Sequence, residues 1–293
     1  MAAKIVKASF PGHIITRPPV WRAPFIFASP HSGRDYPARF IADSVLDLAD
    51  LRRSEDAYVD TLLPSADILG VPVLAARFPR AFVDVNRNAR EIDPFMFTTS
   101  PVDGTEIRSN RVLAGFGSIP KLAADGRPIY ARKLSAAEGR ARMTWCYTPY
   151  HEALQSLINE CKSHFGMAIL VDWHSMPAAA TVGGRPLPDF ILGDRYGSSC
   201  APWVTHEWQE LLETNGYGLA RNTPYAGGHV TSLYGQPNID VHAIQIEINR
   251  HLYLDEQRVR RLPDQFKLLQ STIQAMSIDV IERHATPSRF AAE

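Results

Sequence analysis

The chain has 293 residues, of which 45% are hydrophobic and 21% charged, and its 31 basic and 31 acidic side chains give zero net charge. This composition is typical of a globular protein, and the balanced charge gives no support for a nucleic-acid partner or an anionic membrane surface. No apolar stretch approaches the roughly 20 residues of a membrane span, and the N-terminus lacks the continuous apolar segment of a signal peptide.

Strand-like apolar runs alternate with helical stretches along the chain. The predicted strands cover residues 24–28, 71–76, 81–85, 167–173, 189–192 and 242–248. The predicted helices lie within residues 43–69, 135–165, 201–215 and 263–282. This alternation predicts an α/β fold with one central sheet and helices on both faces. No change in composition divides the chain, so we expect a single domain over residues 1–293.

Residues 93–133 interrupt the alternation, because they are rich in proline, glycine and short polar residues. A loop region of this length is unusual in a compact domain, and it predicts a lid or the wall of a pocket. The three cysteines are far apart and form no CxxC pair; they are Cys146, Cys161 and Cys200. They argue against a disulfide framework or a cysteine-based zinc site, and we expect a reduced, cytoplasmic compartment.

Two predicted strands lead into histidines. His31 follows the first strand, and the fourth strand delivers Asp172 and His174, which project from one face because they are two residues apart. Histidines in such places are commonly structural, but two of them beside carboxylates are also typical of a zinc site. A third ligand could come from Ser54-Glu55-Asp56, although acids at the start of a helix are favourable without any function.

Other polar groups occur at the ends of the third and last strands. Asp84 and Asn86 share a face of the third strand, and Arg87 is compatible with a surface position or with a clamp on a substrate carboxylate. In the last strand, Glu247 alternates with isoleucines and faces either solvent or a site, where it could act as a general base. The segment Gly227-Gly228-His229 is either a flexible loop or a close backbone approach to a ligand.

Several well-known motifs are absent from the sequence. No GxGxxG follows a strand and no GxxxxGK[ST] occurs, so nucleotide binding has no support. There is no GxSxG elbow of a serine hydrolase and no HExxH zinc motif.

Five segments taken in order resemble the N-formylglutamate amidohydrolase family. They are SPHSGRDYP, SEDAYVDTLLPSADILG, RFPRAFVDVNRNAREIDP, AILVDWHSM and GGHVTSLYGQPNIDVHAIQIEINRHLYLDE, and they span residues 29–256. The resemblance implies a zinc-carboxypeptidase-like (phosphorylase/hydrolase-like) fold, with one mixed sheet flanked by helices. It also implies hydrolysis of N-acyl amino acids with one Zn²⁺ or another divalent ion, and a place in histidine degradation.

The resemblance also implies roles for particular residues. His31 and His174 would be metal ligands, with Asp56 as the preferred carboxylate ligand and Glu55 as its alternative. Glu247 would be the general base and then the acid. The family of zinc carboxypeptidases places a glutamate three residues after the first histidine, whereas this chain has an arginine there. The carboxylate ligand is therefore expected farther along the chain.

Substrate contacts are implied in the same way. Asn86 and Arg87 resemble a pair that holds a substrate carboxylate, and His229, a tyrosine in many family members, would assist the metal at the carbonyl oxygen. Asp84 and Asp172 are compatible with orienting the ligands or with structural hydrogen bonding. A glutamate side chain would need a further cation, for which the candidates are Arg34, Arg185 and Arg250.

The expected reaction is hydrolysis of N-formyl-L-glutamate to formate and L-glutamate. Two alternatives stay open: a metal-dependent peptidase or deacylase acting on another small carboxylate substrate, and a non-catalytic metal-binding module. The sequence does not specify an oligomeric state.

Overall fold

The computed structural model describes residues 12–101 and 108–285, so part of the loop region predicted for residues 93–133 lies outside the described residues. The strands, in chain order, are β1 (His13–Thr16), β2 (Phe25–Ser29), β3 (Val73–Ala76), β4 (Ala168–Met176), β5 (Thr181–Val182), β6 (Arg185–Pro186), β7 (Phe190–Gly193), β8 (Leu219–Arg221), β9 (Val241–Asn249), β10 (Leu254–Asp255) and β11 (Arg260–Arg261).

Helices lie between these strands. The α-helices are α1 (Ala38–Asp43), α2 (Leu48–Arg52), α3 (Val59–Leu62), α4 (Ala66–Leu69), α5 (Asn110–Leu113), α6 (Ala136–Arg142), α7 (Thr148–Phe165), α8 (Pro202–Thr214), α9 (His229–Tyr234) and α10 (Pro263–Arg283). A π-helical turn at Met143–Tyr147 joins α6 to α7, and short 3₁₀ turns occur at Pro94–Met96, Pro237–Ile239 and Arg250–Leu252.

The main sheet of the described residues has seven strands in the order β1-β3-β2-β4-β9-β7-β8. Its centre, β3-β2-β4-β9, is parallel, whereas β1 pairs antiparallel with β3 and β7 pairs antiparallel with β9. The sheet is therefore mixed, as expected. Because the parallel strands β2, β4 and β9 lie next to one another, their carboxyl ends meet at one place on the sheet edge.

Helices cover both faces of this sheet. Along β4 the side chains alternate: Ile169 and Val171 pack against α3, α4, α8 and α10, whereas Leu170 packs on the opposite face against α7 and α9. The isoleucines of β9 are arranged in the same way, since Ile244 and Ile246 pack in the core that contains Ile169 and Val171. A strand that is buried on both faces needs such a continuous apolar run. The predicted α/β fold with a mixed central sheet and flanking helices is confirmed.

Five of the six predicted strands form, with end points that shift by up to three residues. The predicted strand 81–85 is wrong: these residues form turns, and the Asp84 N–H donates to the Ser118 carbonyl. The reason lies in the sheet order, because β3 is already paired with β1 and β2 along both of its edges. The strands β1 and β8 were not predicted, and both are short strands at the edges of the sheet.

The predicted helical regions contain helices, and residues 43–69 contain three short ones. Asp47 caps α2 through a hydrogen bond from the Asp50 N–H, and Pro64 separates α3 from α4. Tyr58 adopts φ +64°, which ends any continuous helix before α3. The region is therefore a series of tight turns that places Ser54-Glu55-Asp56 next to the sheet edge.

Within residues 12–101 and 108–285, no helix combines the length and the hydropathy that crossing a bilayer requires. The three cysteines are buried and free, as expected from their spacing. Burial raises the pKa of the Cys146 and Cys161 thiols to about 12, so neither is a thiolate at neutral pH.

The burial of the central strand β9 leads to a prediction about the free energy of unfolding. Replacing the fully buried Ile246 by alanine leaves a cavity between the sheet and its helices, and we expect the free energy of unfolding to fall by about 2–5 kcal/mol. Urea titration followed by tryptophan fluorescence measures the change. The control is Leu268→Ala on α10, whose side chain is 68% exposed and whose replacement should change stability by less than about 0.5 kcal/mol.

Candidate active site

Two histidines meet where β2 and β4 end. His31 follows β2 after one turn, and His174 lies on the last part of β4, which pairs with β2 through Asp172. Their rings are 4.7 Å apart between centroids, and both are buried. The His174 side chain points to the α7 face of the sheet, because His174 has the same parity along β4 as Leu170.

The carboxylate of Asp56 lies between the two rings. Its Oδ2 is 3.2 Å from His31 Nδ1 and 3.0 Å from His174 Nδ1. Candidate ligand atoms of these three residues all lie within 4.8 Å of one another, and all three residues are buried. Two imidazole nitrogens and one carboxylate oxygen are a donor set that suits Zn²⁺ and similar divalent ions.

The other nitrogen of each ring contacts a second carboxylate. His31 Nε2 lies 2.7 Å from Asp84 Oδ1, and His174 Nε2 lies 3.0 Å from Asp172 Oδ2. Each ring therefore lies between two carboxylates, with Nε2 toward Asp84 or Asp172 and Nδ1 toward Asp56. Such carboxylate–histidine pairs fix the tautomer in metal sites.

The electrostatics of this cluster also fit a cation. Burial opposes a charge on His174, but Asp172 and Asp56 outweigh it and hold the pKa of His174 well above its usual value. Burial likewise acts against ionisation of Asp56, yet the two histidines and Arg80 keep the pKa of this carboxyl well below its usual range. The ionised Asp56, together with Asp172, thus favours positive charge beside His174, so the three residues fit a metal ion.

Two arginines hold the remaining oxygen of Asp56. Arg250 donates to Oδ1 over 3.1 Å, and Arg80 lies 3.5 Å from the same atom while its other nitrogen donates to Asp84. The sequence analysis assigned no role to Arg80, because nothing in the segment RFPR (residues 77–80) distinguishes it from the other arginines of the chain. Ser175 and Glu256 fix the position of the Arg250 guanidinium.

Glu55, the alternative ligand, points away from the histidines. Its Oε1 accepts from the Tyr36 hydroxyl and from Arg52 Nε, and its Oε2 accepts from the same arginine. Burial raises the pKa of Glu55 although Arg52 opposes the effect. The neighbouring side chains of Glu55 and Asp56 point in different directions, and only Asp56 faces the two histidines. The structure therefore distinguishes the two candidate ligands, which the sequence could not.

Asn86 and Arg87 lie on the wall of the same cavity. Asn86 Oδ1 accepts from the Val230 N–H, and its Nδ2 is 3.3 Å from His174 Nε2. Arg87 donates to the carbonyls of Asn86 and Phe116, and its Nη2 is 3.9 Å from Asp84. These residues reach the site from turns, because the predicted strand does not form.

Glu247 lies on β9 directly opposite His174 on β4. Its Oε1 accepts a hydrogen bond from Gln245 Nε2 over 2.7 Å, and the side chain lines the cavity. Burial raises the pKa of Glu247, although the neighbouring His174 opposes the shift. Gln245 was not assigned a role from the sequence, and its only signal was its place on the same strand face as Glu247.

Three other predicted substrate ligands lie elsewhere. The Arg34 guanidinium is paired with Asp60, 41% exposed and not among the cavity-lining residues, because the chain turns after His31 towards α3. Arg185 is exposed in the β5–β6 hairpin. The His229 ring packs against His151 and does not line the cavity, which is bordered instead by the two glycines before it.

One of these glycines allows a close approach between backbone and side chain. A Cβ atom on Gly228 would lie only 2.3 Å from the Asn86 amide. The Gly228 N–H also donates to Gln245 Oε1 over 2.8 Å. Glycine at this position therefore lets the segment before α9 pack directly against Asn86.

A cavity of about 230 Å³ opens above these groups. The two histidines, Glu247 and Arg250 line it together with Arg111, Phe116, Pro120 and Leu122. These last residues belong to the loop region 93–133, so the predicted pocket wall is confirmed for the part that the structure describes. Arg111 and Phe116 had no distinguishing signal in the sequence.

Comparison with known proteins places this arrangement in a family. The model of the N-formylglutamate amidohydrolase family matches residues 23–254. Two relatives named N-formylglutamate deformylase, from Pseudomonas aeruginosa and Pseudomonas putida, are 34% and 28% identical over 242 and 239 residues. These matches cover 80% of this chain in both cases, and 84% and 83% of the relatives.

A solved structure agrees with these matches. The crystal structure of N-formylglutamate amidohydrolase from Ralstonia eutropha JMP134 has a TM-score of 0.88 and 34% identity, and the match covers 94% of this chain and 99% of that one. The similarity of this fold to the fold of the zinc carboxypeptidases stays a prediction. Since the matched residues include the strand ends that carry the two histidines and Glu247, the chain belongs to the N-formylglutamate amidohydrolase family and is a hydrolase of amide bonds.

Proposed function

We propose that this enzyme hydrolyses the formyl amide of N-formyl-L-glutamate and that the reaction depends on one bound Zn²⁺ ion. The observation that carries the proposal is the convergence of His31, His174 and Asp56 next to Glu247, at a cavity lined with arginines. The names of the relatives support the substrate, and the donor set supports the metal.

His31 and His174 would hold the ion through Nδ1, and Asp56 would hold it through Oδ2. When bound, the ion supplies a Lewis acid that polarises a carbonyl and lowers the pKa of water toward about 7. Asp84 and Asp172 keep both imidazoles in the tautomer that this binding needs, since each accepts the Nε2 hydrogen. Arg250 and Arg80 keep Asp56 ionised and correctly oriented.

Glu247 is the group that moves the proton. As a general base it takes a proton from the attacking water, and as a general acid it gives that proton to the nitrogen that leaves as the amino group of L-glutamate. Its pKa is raised by burial, which makes the carboxylate a better base than an exposed glutamate. Water adds to the formyl carbon, the C–N bond breaks, and formate is the second product.

Arg87, with Asn86 beside it, would hold the α-carboxylate of the substrate. The planar guanidinium suits a carboxylate, and its side chain reaches the cavity from turns that Val230 and Phe116 fix. The His229 ring packs against His151, and a role for His229 at the carbonyl oxygen stays a prediction. Another N-acyl amino acid is the alternative substrate class, since the same centre would serve any small formyl or acyl amide.

Formate release from N-formyl-L-glutamate tests the proposed function directly. We expect release by zinc-loaded protein and a loss of at least a hundredfold in rate after chelation, with recovery when Zn²⁺ is added back. Release that is unaffected by chelation would contradict the metal. Absence of release in spite of bound zinc would contradict the substrate and lead to a panel of other N-acyl amino acids.

The neighbouring acids Glu55 and Asp56 offer a matched pair of variants. Asp56→Asn removes the ligand charge, and we expect bound zinc to fall from about one ion per chain to well below one. Glu55→Gln should keep the zinc, because both oxygens of Glu55 face Arg52 and Tyr36. Metal analysis after gel filtration measures both, and circular dichroism checks that each variant is folded. The reverse result would exchange the two assignments.

The role of Glu247 predicts a different pattern. Glu247→Gln should keep zinc bound and lower kcat by about a hundredfold to ten-thousandfold, since the amide cannot accept the proton. The isosteric control is Glu160→Gln, which removes an exposed carboxylate that pairs with Arg17. Formate release and metal content are measured for both. A fully active Glu247→Gln enzyme would rule out the proton-transfer role.

A further inference from the structure

An acidic substrate such as N-formyl-L-glutamate carries two carboxylates, and the proposed function assigns only one of them to a residue. The second is on the side chain of the amino acid. The cavity is lined by four arginines, which are Arg80, Arg87, Arg111 and Arg250. A second carboxylate would bind best to an arginine whose guanidinium is not already paired with a carboxylate of the protein.

Two of the four, Arg80 and Arg250, are already bonded to the carboxylates around the proposed metal site. Arg80 contacts Asp56 and donates to Asp84, and Arg250 donates to Asp56 while it also contacts Glu256 and Ser175. Moving either arginine onto a substrate would leave buried Asp56 with fewer partners. Such a change is unfavourable, because an unpaired buried charge is strongly destabilising.

Arg111 differs from these two. It lies on α5, its side chain lines the cavity, and no hydrogen bond or ion pair joins its guanidinium to any residue in 12–101 or 108–285. Its backbone is held in place: the Arg111 carbonyl accepts from the Phe116 N–H over 2.8 Å, and the Ser109 side chain caps the helix. Arg111 thus presents at the cavity a guanidinium that is unpaired within the described residues, and its backbone is fixed.

The segment from Arg111 to Phe116 connects this cation to Arg87. The Phe116 carbonyl accepts a hydrogen bond from Arg87 Nε, so both guanidinium groups border the same stretch of cavity wall. Burial lowers the pKa of Arg87, and the positive charges of Arg111 and Arg80 act in the same direction although Asp84 opposes them. An anionic ligand between Arg87 and Arg111 would relieve this repulsion.

We propose that Arg111 binds the side-chain carboxylate of the substrate and sets the preference of the enzyme for acidic N-formyl amino acids. With Arg87 on the α-carboxylate, the two arginines bind both ends of a glutamate whose formyl group faces Glu247. The loop region 93–133 then has a defined role, because it supplies the residue that recognises the side chain. The inference rests on the proposed function and adds a specificity-determining residue to it.

The test compares N-formyl-L-glutamate with N-formyl-L-glutamine, which has the same shape without the second charge. For zinc-loaded Arg111→Gln we expect KM for the glutamate substrate to rise about tenfold to a hundredfold, with kcat changed less than about threefold. Kinetics with the glutamine substrate should stay within about twofold of wild type. Arg111→Lys keeps the charge without the planar pair of donors, and its KM should lie between those of wild type and Arg111→Gln.

The control variant is Arg108→Gln, which changes the net charge equally only three residues away. Arg108 is exposed, its guanidinium lies over the Phe95 ring at 5.5 Å, and it does not line the cavity. We expect wild-type kinetics with both substrates. An equal rise in KM for Arg108→Gln would overturn the inference, because the effect would then come from overall charge instead of contact.

The remaining outcomes separate this inference from the proposed function. If wild type hydrolyses N-formyl-L-glutamate but Arg111→Gln leaves its preference over the glutamine substrate unchanged, only the role of Arg111 is overturned. The same holds if the variant loses both substrates equally. If zinc-loaded wild type releases no formate from either substrate, the proposed function fails and the inference fails with it.

Discussion

A single buried carboxylate, Asp56, is the group on which the architecture of the site depends. Removing a charged group from water is expensive unless opposite charges and hydrogen-bond donors surround it. Here the partners come from four separate parts of the chain, which are His31, Arg80, His174 and Arg250. Neutralising Asp56 therefore requires that the ends of β2, β4 and β9 meet, so the most favourable fold of these segments is also the one that assembles the site.

The same charge balance explains why the centre suits a metal ion. Asp84 and Asp172 add two more carboxylates on the outer sides of the imidazoles, and Arg80 neutralises only part of this charge. Without a metal, protons must supply the missing positive charge, which is why the pKa of His174 is held so high against the effect of burial. A divalent ion held by His31, His174 and Asp56 would supply this positive charge in place of protons.

The sequence predicted those parts of the site that depend on regular structure. A buried strand leaves a clear apolar run, and a polar residue directly after it is conspicuous, as for His31 and His174. The sequence could not distinguish Asp56 from Glu55, because the irregular turns after α2 determine which of the two carboxylates faces the histidines. Arg111 gave no signal at all, since its place at the cavity results from the path of a long loop region that no periodic pattern describes.

Gln245 connects the parts of the site that prediction treated separately. Its Oε1 accepts from the Gly228 N–H and from Asn86 Nδ2, so its Nε2 must be the atom that faces Glu247 Oε1. This bond holds one oxygen of the proposed base, whereas Glu247 Oε2 has no hydrogen bond to the described part of the chain. Among the described residues, Gln245 thus fixes one oxygen of Glu247, and the other is the one that would take the proton in the proposed reaction. Because the same amide also contacts Asn86, the position of the proposed base is linked to the segment that is proposed to bind the substrate.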